Sequence, residues 1–291
     1  KLENACLCVE IAEKGAELTR IFNKKTGAEI LWNGNPEFWT GILDPVPNVG
    51  KTHGNTVLIK GTQYPTSQHG FDKDSQFRCV KSAAEEAQFF ILLNEETREV
   101  YPYDFELYIT YRLDGKNIFV DWKVKIHQKK RFILRSEHIR HLCLKAQKET
   151  KDDYLLWFPK METLECCGLN LECGTGLPEE KLFSGNWRTA ICSFSEKIVL
   201  RWIHWICDDY QLKEDGCDKK DGRKPYVGVK SEGFYSYGIW SPKNAPFVCL
   251  EPWAGRCDDT GFDKDISEKE GINAVQPGEI FEKGYQILGD S

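Results

Sequence analysis

Over much of the chain apolar and polar side chains alternate one by one, the period of a strand with one buried face. Asp104 to Leu113 (DFELYITYRL) and Asn117 to Ile126 alternate cleanly across an Asp114-Gly115 turn, which predicts a hairpin. Shorter strands are predicted at Leu7 to Ile11, Ala16 to Phe22, Glu29 to Trp32, Phe38 to Leu43, Thr56 to Lys60 and Gln88 to Leu93. Further along they are predicted at Phe132 to Leu144, Tyr154 to Phe158, Met161 to Leu164, Ile191 to Phe194, Ile198 to Ile206, Phe234 to Trp240 and Ile280 to Leu288. Between them fall turn signals such as Asn23-Lys-Lys-Thr-Gly27, Asn33-Gly-Asn-Pro36 and Pro277-Gly278. No long amphipathic helix, no internal repeat and no linker-like stretch interrupts the pattern. The architecture it predicts is all-β: one large antiparallel β-sandwich spanning residues 1–291 as a single domain.

One strand breaks the alternation. Phe247-Val-Cys-Leu250 is apolar throughout, then Glu251-Pro-Trp-Ala-Gly255 follows. Because proline removes a ladder donor, the strand is expected to stop at Glu251 and to hold that carboxylate at its rim. A glutamate so placed is a candidate for a raised pKa and for facing a ligand; the same stretch also fits a structural carboxylate in water or in an ion pair. His69, in the loop Gln68-His-Gly-Phe-Asp72, is a second candidate, with a plain surface histidine as the alternative.

Composition narrows the partners. Nine Trp, eleven Tyr and sixteen Phe against one Met favour strands over helical bundles. A net charge of −6 and a pI near 5.7 argue against a nucleic-acid-binding surface, apart from a basic run over Lys123 to Lys151 that reads mostly as a solvated strand face. No apolar run is long enough for a membrane-spanning helix. The opening Lys1-Leu2-Glu3-Asn4 does not read as a secretory leader, although a start without Met suggests trimming. The twelve Cys form no C-x-x-C pair, so structural zinc is not expected and reduced thiols in a cytoplasmic protein are. The acidic stretch Asp258 to Asp265 lacks the spacing of a calcium loop and reads as a rim loop. No metal and no cofactor are expected.

Several stretches, in this order, carry a resemblance: Gly15-Ala-Glu-Leu18, Lys25-Thr-Gly27, Leu31-Trp-Asn-Gly34, Pro47-Asn-Val-Gly-Lys51, Gln68-His-Gly-Phe71 and Tyr101-Pro-Tyr-Asp-Phe105. They are followed by Tyr237-Gly-Ile-Trp-Ser241, Ala245 to Trp253, Lys269-Glu-Gly-Ile-Asn273 and Pro277-Gly278. With these the chain resembles the aldose 1-epimerase family, in its galactose-mutarotase-like branch, over almost its whole length. The resemblance implies a supersandwich with an open sugar groove and cofactor-free interconversion of the α and β anomers of a monosaccharide. It implies Glu251 as the catalytic base and His69 as one of two active-site histidines. The second falls on His138, in Arg135-Ser-Glu-His-Ile-Arg-His141, where the family's surrounding Gly, Ala and Pro are missing and His141 is an alternative. Lys51 stands where the family often has a sugar-binding arginine, a point charge in place of a planar fork. Gln68 and Trp240 complete the expected substrate contacts, with Trp253 and Phe71 as further apolar platforms or as ordinary core. A carbohydrate-binding module without catalysis and a sugar-phosphate mutarotase are the alternatives, and a monomer or homodimer is the expected assembly.

Overall fold

The computed structural model describes residues 1–32, 34–37, 48–71, 74–93, 95–127, 132–134, 136–137, 140–143, 163–169, 176–184, 198–201, 227–234, 236–240 and 245–289. Of these, 96, 132–134, 136–137, 140–143, 163–169, 176–184, 198–201, 237 and 240 are described by backbone alone. The structure is an antiparallel β-sandwich. One described sheet runs, in spatial order, Val227–Lys230, Ile280–Gly289, Asn117–Ile126, Phe105–Asp114, Glu86–Leu93 and Arg78–Ser82. A second runs Ser136–Glu137, Phe247–Ala254, Ser236–Trp240, Ile198–Arg201, Thr163–Leu169 and Gly176–Ser184, with Arg140–Cys143 also paired to Phe247–Ala254. A smaller sheet (Leu2–Glu3, Leu7–Ile11, Leu18–Asn23, Ala28–Glu29) comes from the N-terminal hairpins. The described helices are single 3₁₀ turns at His53–Asn55, Glu95–Thr97 and Ile266–Glu268.

The alternation explains the packing. In the long hairpin, Leu107, Ile109, Tyr111 and Leu113 lie directly opposite Val124, Trp122, Val120 and Ile118, and all eight are buried. Such face-to-face pairs are the units that stabilise a sheet, each worth roughly 0.2–1 kcal/mol over alanine. One large apolar cluster takes residues from all three sheets, among them Val9 and Ile21, Phe89 and Tyr285, and Ile239, Val248 and Leu250.

Three expectations change. The second N-terminal strand begins at Leu18, not Ala16, because Gly15 and Ala16 both take positive φ (66° and 49°) to make the turn. Gly176–Ser184 is a strand that no alternation revealed, since its text (GLPEEKLFS) carries a proline and three charges. The third concerns Glu251. Its strand continues through Pro252 to Ala254 and stays paired to its neighbour as Gly238↔Glu251, Tyr237↔Pro252 and Ser236↔Trp253. Proline withholds one donor only, and Pro252 falls between the pairings Glu137↔Trp253 and Arg140↔Leu250 on the strand's other side. The strand ends instead at Gly255, whose φ of 144° glycine adopts readily. The expected strands at Phe38 to Leu43, Tyr154 to Phe158 and Ile191 to Phe194 lie outside the described residues.

Candidate functional site

All eight residues of Phe247–Ala254 are buried, which a strand achieves only when covered on both faces. Successive side chains point to opposite faces. Val248, Leu250 and Ala254 belong to the large core, whereas Phe247 and Cys249 form a separate small cluster with Trp32 and Ala245. Trp32 and Phe247 stack with ring centroids 4.8 Å apart. By the same period Glu251 and Trp253 share the face of that smaller cluster and turn away from the main core.

Glu251 is only 1% exposed. It is therefore not the rim carboxylate expected from Pro252 but a desolvated one. A buried charge must be hydrogen-bonded to persist. One such bond comes from Trp253, whose indole Nε1–H donates to Glu251 Oε2 at 3.1 Å, both side chains being buried. Gly238 stands directly opposite Glu251 on the adjacent strand. Trp253 is thus committed to the carboxylate and 4% exposed, not an open platform for a sugar face, whereas Phe71 is half-buried and packs against the large core.

The end of this strand is tied down. Ser236 Oγ donates to the Gly255 carbonyl at 2.6 Å, and Asn273 Nδ2 donates to that of Ala254 at 2.6 Å. The residues that follow hold two of the predicted site loops. Asp258 N–H donates to the Lys51 carbonyl (3.1 Å), and Asp258 Oδ2 accepts the His53 N–H (2.9 Å). One residue before Lys51, the Gly50 carbonyl accepts the His69 N–H at 2.8 Å. A continuous set of bonds thus links the Glu251 strand to the segments bearing Lys51 and His69. Lys51, Gln68 and His69 are all half-buried.

His69 carries two further marks of a specified position. Its φ is +67°, a region that non-glycine residues occupy at a cost and that clusters at functional sites. The Gln68 amide Nε2 lies 2.9 Å from His69 Nε2. The contact ties the imidazole to its neighbour in the loop.

His138 lies outside the described residues. Its flanking strands do not: Glu137 pairs with Trp253 and Arg140 with Leu250, so both border the Glu251 strand. The alternative, His141, is registered opposite Cys249 on that side, and Trp240 opposite Cys249 on the other; the side chains of both lie outside the described residues.

Three buried charged residues escaped the reading of the sequence. Asp258 and Lys269 form an ion pair with side chains 5% and 3% exposed. Arg256, 7% exposed at its side chain, bridges Asp259 and Glu270, the latter at 2.9 Å. Asp258 belongs to the acidic stretch read as a rim loop, but it is buried and acts as a brace. Nothing local in Lys269-Glu-Gly-Ile-Asn273 marks its lysine as buried; the burial comes from packing against Asp258. Among the described residues no group of three or more His, Cys, Asp or Glu could hold a metal ion, and no helix is long and apolar enough to cross a membrane.

Comparison with known proteins bears out the resemblance seen in the motifs. Residues 1–135 match the family model described as Aldose 1-epimerase. Over 99% of its length the chain is 26% identical to the plasmid-borne protein LacX of Lactococcus lactis subsp. lactis, covering 98% of that protein. In structure it is similar to a galactose mutarotase related enzyme from Lactobacillus acidophilus, with a TM-score of 0.81, 25% identity, and coverage of 100% of this chain and 96% of that one. It shares its fold with a galactose mutarotase-like protein from Lactobacillus casei (TM-score 0.77, 22% identity, 99% and 98% covered).

Proposed function

We propose that the chain is an aldose 1-epimerase that interconverts the α and β anomers of an aldose by acid–base ring opening, with Glu251 as the base. One observation carries this reading. A nearly inaccessible carboxylate sits on the face of its strand away from the main core, and bonds from that strand's end hold the His69 and Lys51 segments.

In this mechanism Glu251 takes the proton from the anomeric hydroxyl O1. The O1–C1 bond becomes a carbonyl as the bond from C1 to the ring oxygen breaks, and the ring oxygen takes a proton from an imidazole, assigned to His138. Rotation about C1–C2 presents the other face of the aldehyde. Closure reverses both transfers, so each group ends as it began and no cofactor is consumed. A positioned acid–base pair contributes about 10²- to 10⁴-fold in such a step. A low-polarity setting strengthens each hydrogen bond to the developing charges. His69, Gln68, Lys51 and Trp240 are assigned to holding the sugar.

Polarimetry of freshly dissolved α-glucose and α-galactose tests the proposal. Acceleration over buffer is expected, and Glu251→Gln is expected to lose at least about a hundredfold in kcat while keeping its circular dichroism. No acceleration across a panel of aldoses, or a fully active Glu251→Gln protein, overturns it. Lys51, a point charge, also suits a phosphate, so hexose and hexose 6-phosphate rates are to be compared within the same assay.

A further inference from the structure

We infer that Trp253 is a positioning residue for the Glu251 carboxylate, and that Gly238 is glycine because the indole needs the space a side chain would fill. The inference rests on the proposal that Glu251 is the base.

The strand geometry makes the arrangement possible. Residues at i and i+2 project from the same face, so Glu251 and Trp253 stand side by side. Reaching a carboxylate two positions back requires the indole to fold along the sheet surface. There it runs over the neighbouring strand at the residue opposite Glu251, which is Gly238. A Cβ at Gly238 would lie 2.6 Å from Trp253 Cζ2, 2.9 Å from its Cε2 and 3.0 Å from Glu251 Oε2. The first two are closer than real Cβ contacts come, and the obstructing atoms belong to a rigid ring that is 4% exposed. A methyl group there therefore displaces the indole from the carboxylate or parts the two strands.

The bond has two consequences for a base. It fixes the carboxylate plane, and with it the direction in which Oε1 points. It also favours the charged form, because an N–H donor stabilises carboxylate over carboxylic acid. Burial acts the opposite way. Trp253 thus helps to keep a desolvated glutamate able to accept a proton.

The test is the pH profile of kcat/KM for mutarotation by the wild type, Trp253→Phe and Gly238→Ala. A hydrogen bond to a charged group is worth about 1.5–3 kcal/mol, so its loss is expected to move the acid limb up by about one to two pH units. The plateau above that limb is expected to stay within about tenfold of wild type, since the base itself remains. A purely structural role lowers the plateau and leaves the limb in place, and that result overturns the inference. If Gly238→Ala does not fold, Trp253→Phe alone decides. An activity-independent arm uses the indole N–H resonance that vanishes in Trp253→Phe. It is expected to shift in Glu251→Gln, and an unmoved resonance also overturns the inference. Should Glu251→Gln be fully active, the proposed function fails as well; a dead Glu251→Gln protein with an unmoved acid limb in Trp253→Phe sinks the positioning role alone.

Discussion

His69 shows how much one residue's backbone can carry. Left-handed φ costs an L-residue roughly 1–2 kcal/mol, and at +67° this histidine is kept there by its bond to the Gly50 carbonyl. Replacement by glycine removes the strain, so His69→Gly is expected to be as stable as the wild type or more so, while losing mutarotase activity. Thermal melts beside polarimetry check this; a variant that is destabilised yet active would mean that the residue is structural. Gly238 and Pro252 teach related lessons at the same scale. The glycine is needed for a contact with another strand's side chain, and the proline is harmless because its missing donor falls between two stretches of pairing.

At the scale of the element, the segment after the Glu251 strand behaves as a brace. Asp258 and Lys269 are both withdrawn from water, and Asp258 also accepts the His53 N–H. Removing one partner of a buried pair leaves an uncompensated charge and costs about 3–5 kcal/mol. Asp258→Ala is expected to lose stability of that order in urea unfolding. Among molecules still folded, KM is expected to rise more than kcat falls, because the brace holds the Lys51 loop and not the base. A double change of Asp258 and Lys269 to apolar residues of similar volume is expected to restore most of the stability without restoring KM.

Over the whole molecule, two carboxylates at the end of the six-stranded sheet contribute to the response to acid. The Arg98 guanidinium grips Asp104 with bonds of 2.7 and 2.5 Å and holds its carboxyl below the ordinary 3.8. Tyr108 O–H first, then His127, do the same for Glu106 relative to 4.5. Both carboxylates bind protons more weakly folded than unfolded. The stability they contribute is complete above those ordinary values and is lost as pH falls through the lowered ones. Both are partly solvated, so each contributes at most about 1 kcal/mol. Asp104→Asn is expected to lower the melting temperature slightly near pH 6 and to flatten its decline below pH 4; an unchanged slope would remove Asp104 from the acid response.

Most of the alternating strands, the long hairpin of Asp104 to Leu113 with Asn117 to Ile126, and the identity of Glu251 and His69 as candidates were legible in the sequence. Alternation is a local property, and the motifs name residues whatever their surroundings. The burial of Glu251, the extent of its strand and the bond from Trp253 were not legible, since they depend on which strands lie on either side of Phe247–Ala254. The same holds for Asp258 and Lys269, eleven positions apart in an acidic stretch that reads as solvated. Sequence period decides which face a side chain takes; only packing between elements distant along the chain decides whether that face meets water, a ring or an opposite charge.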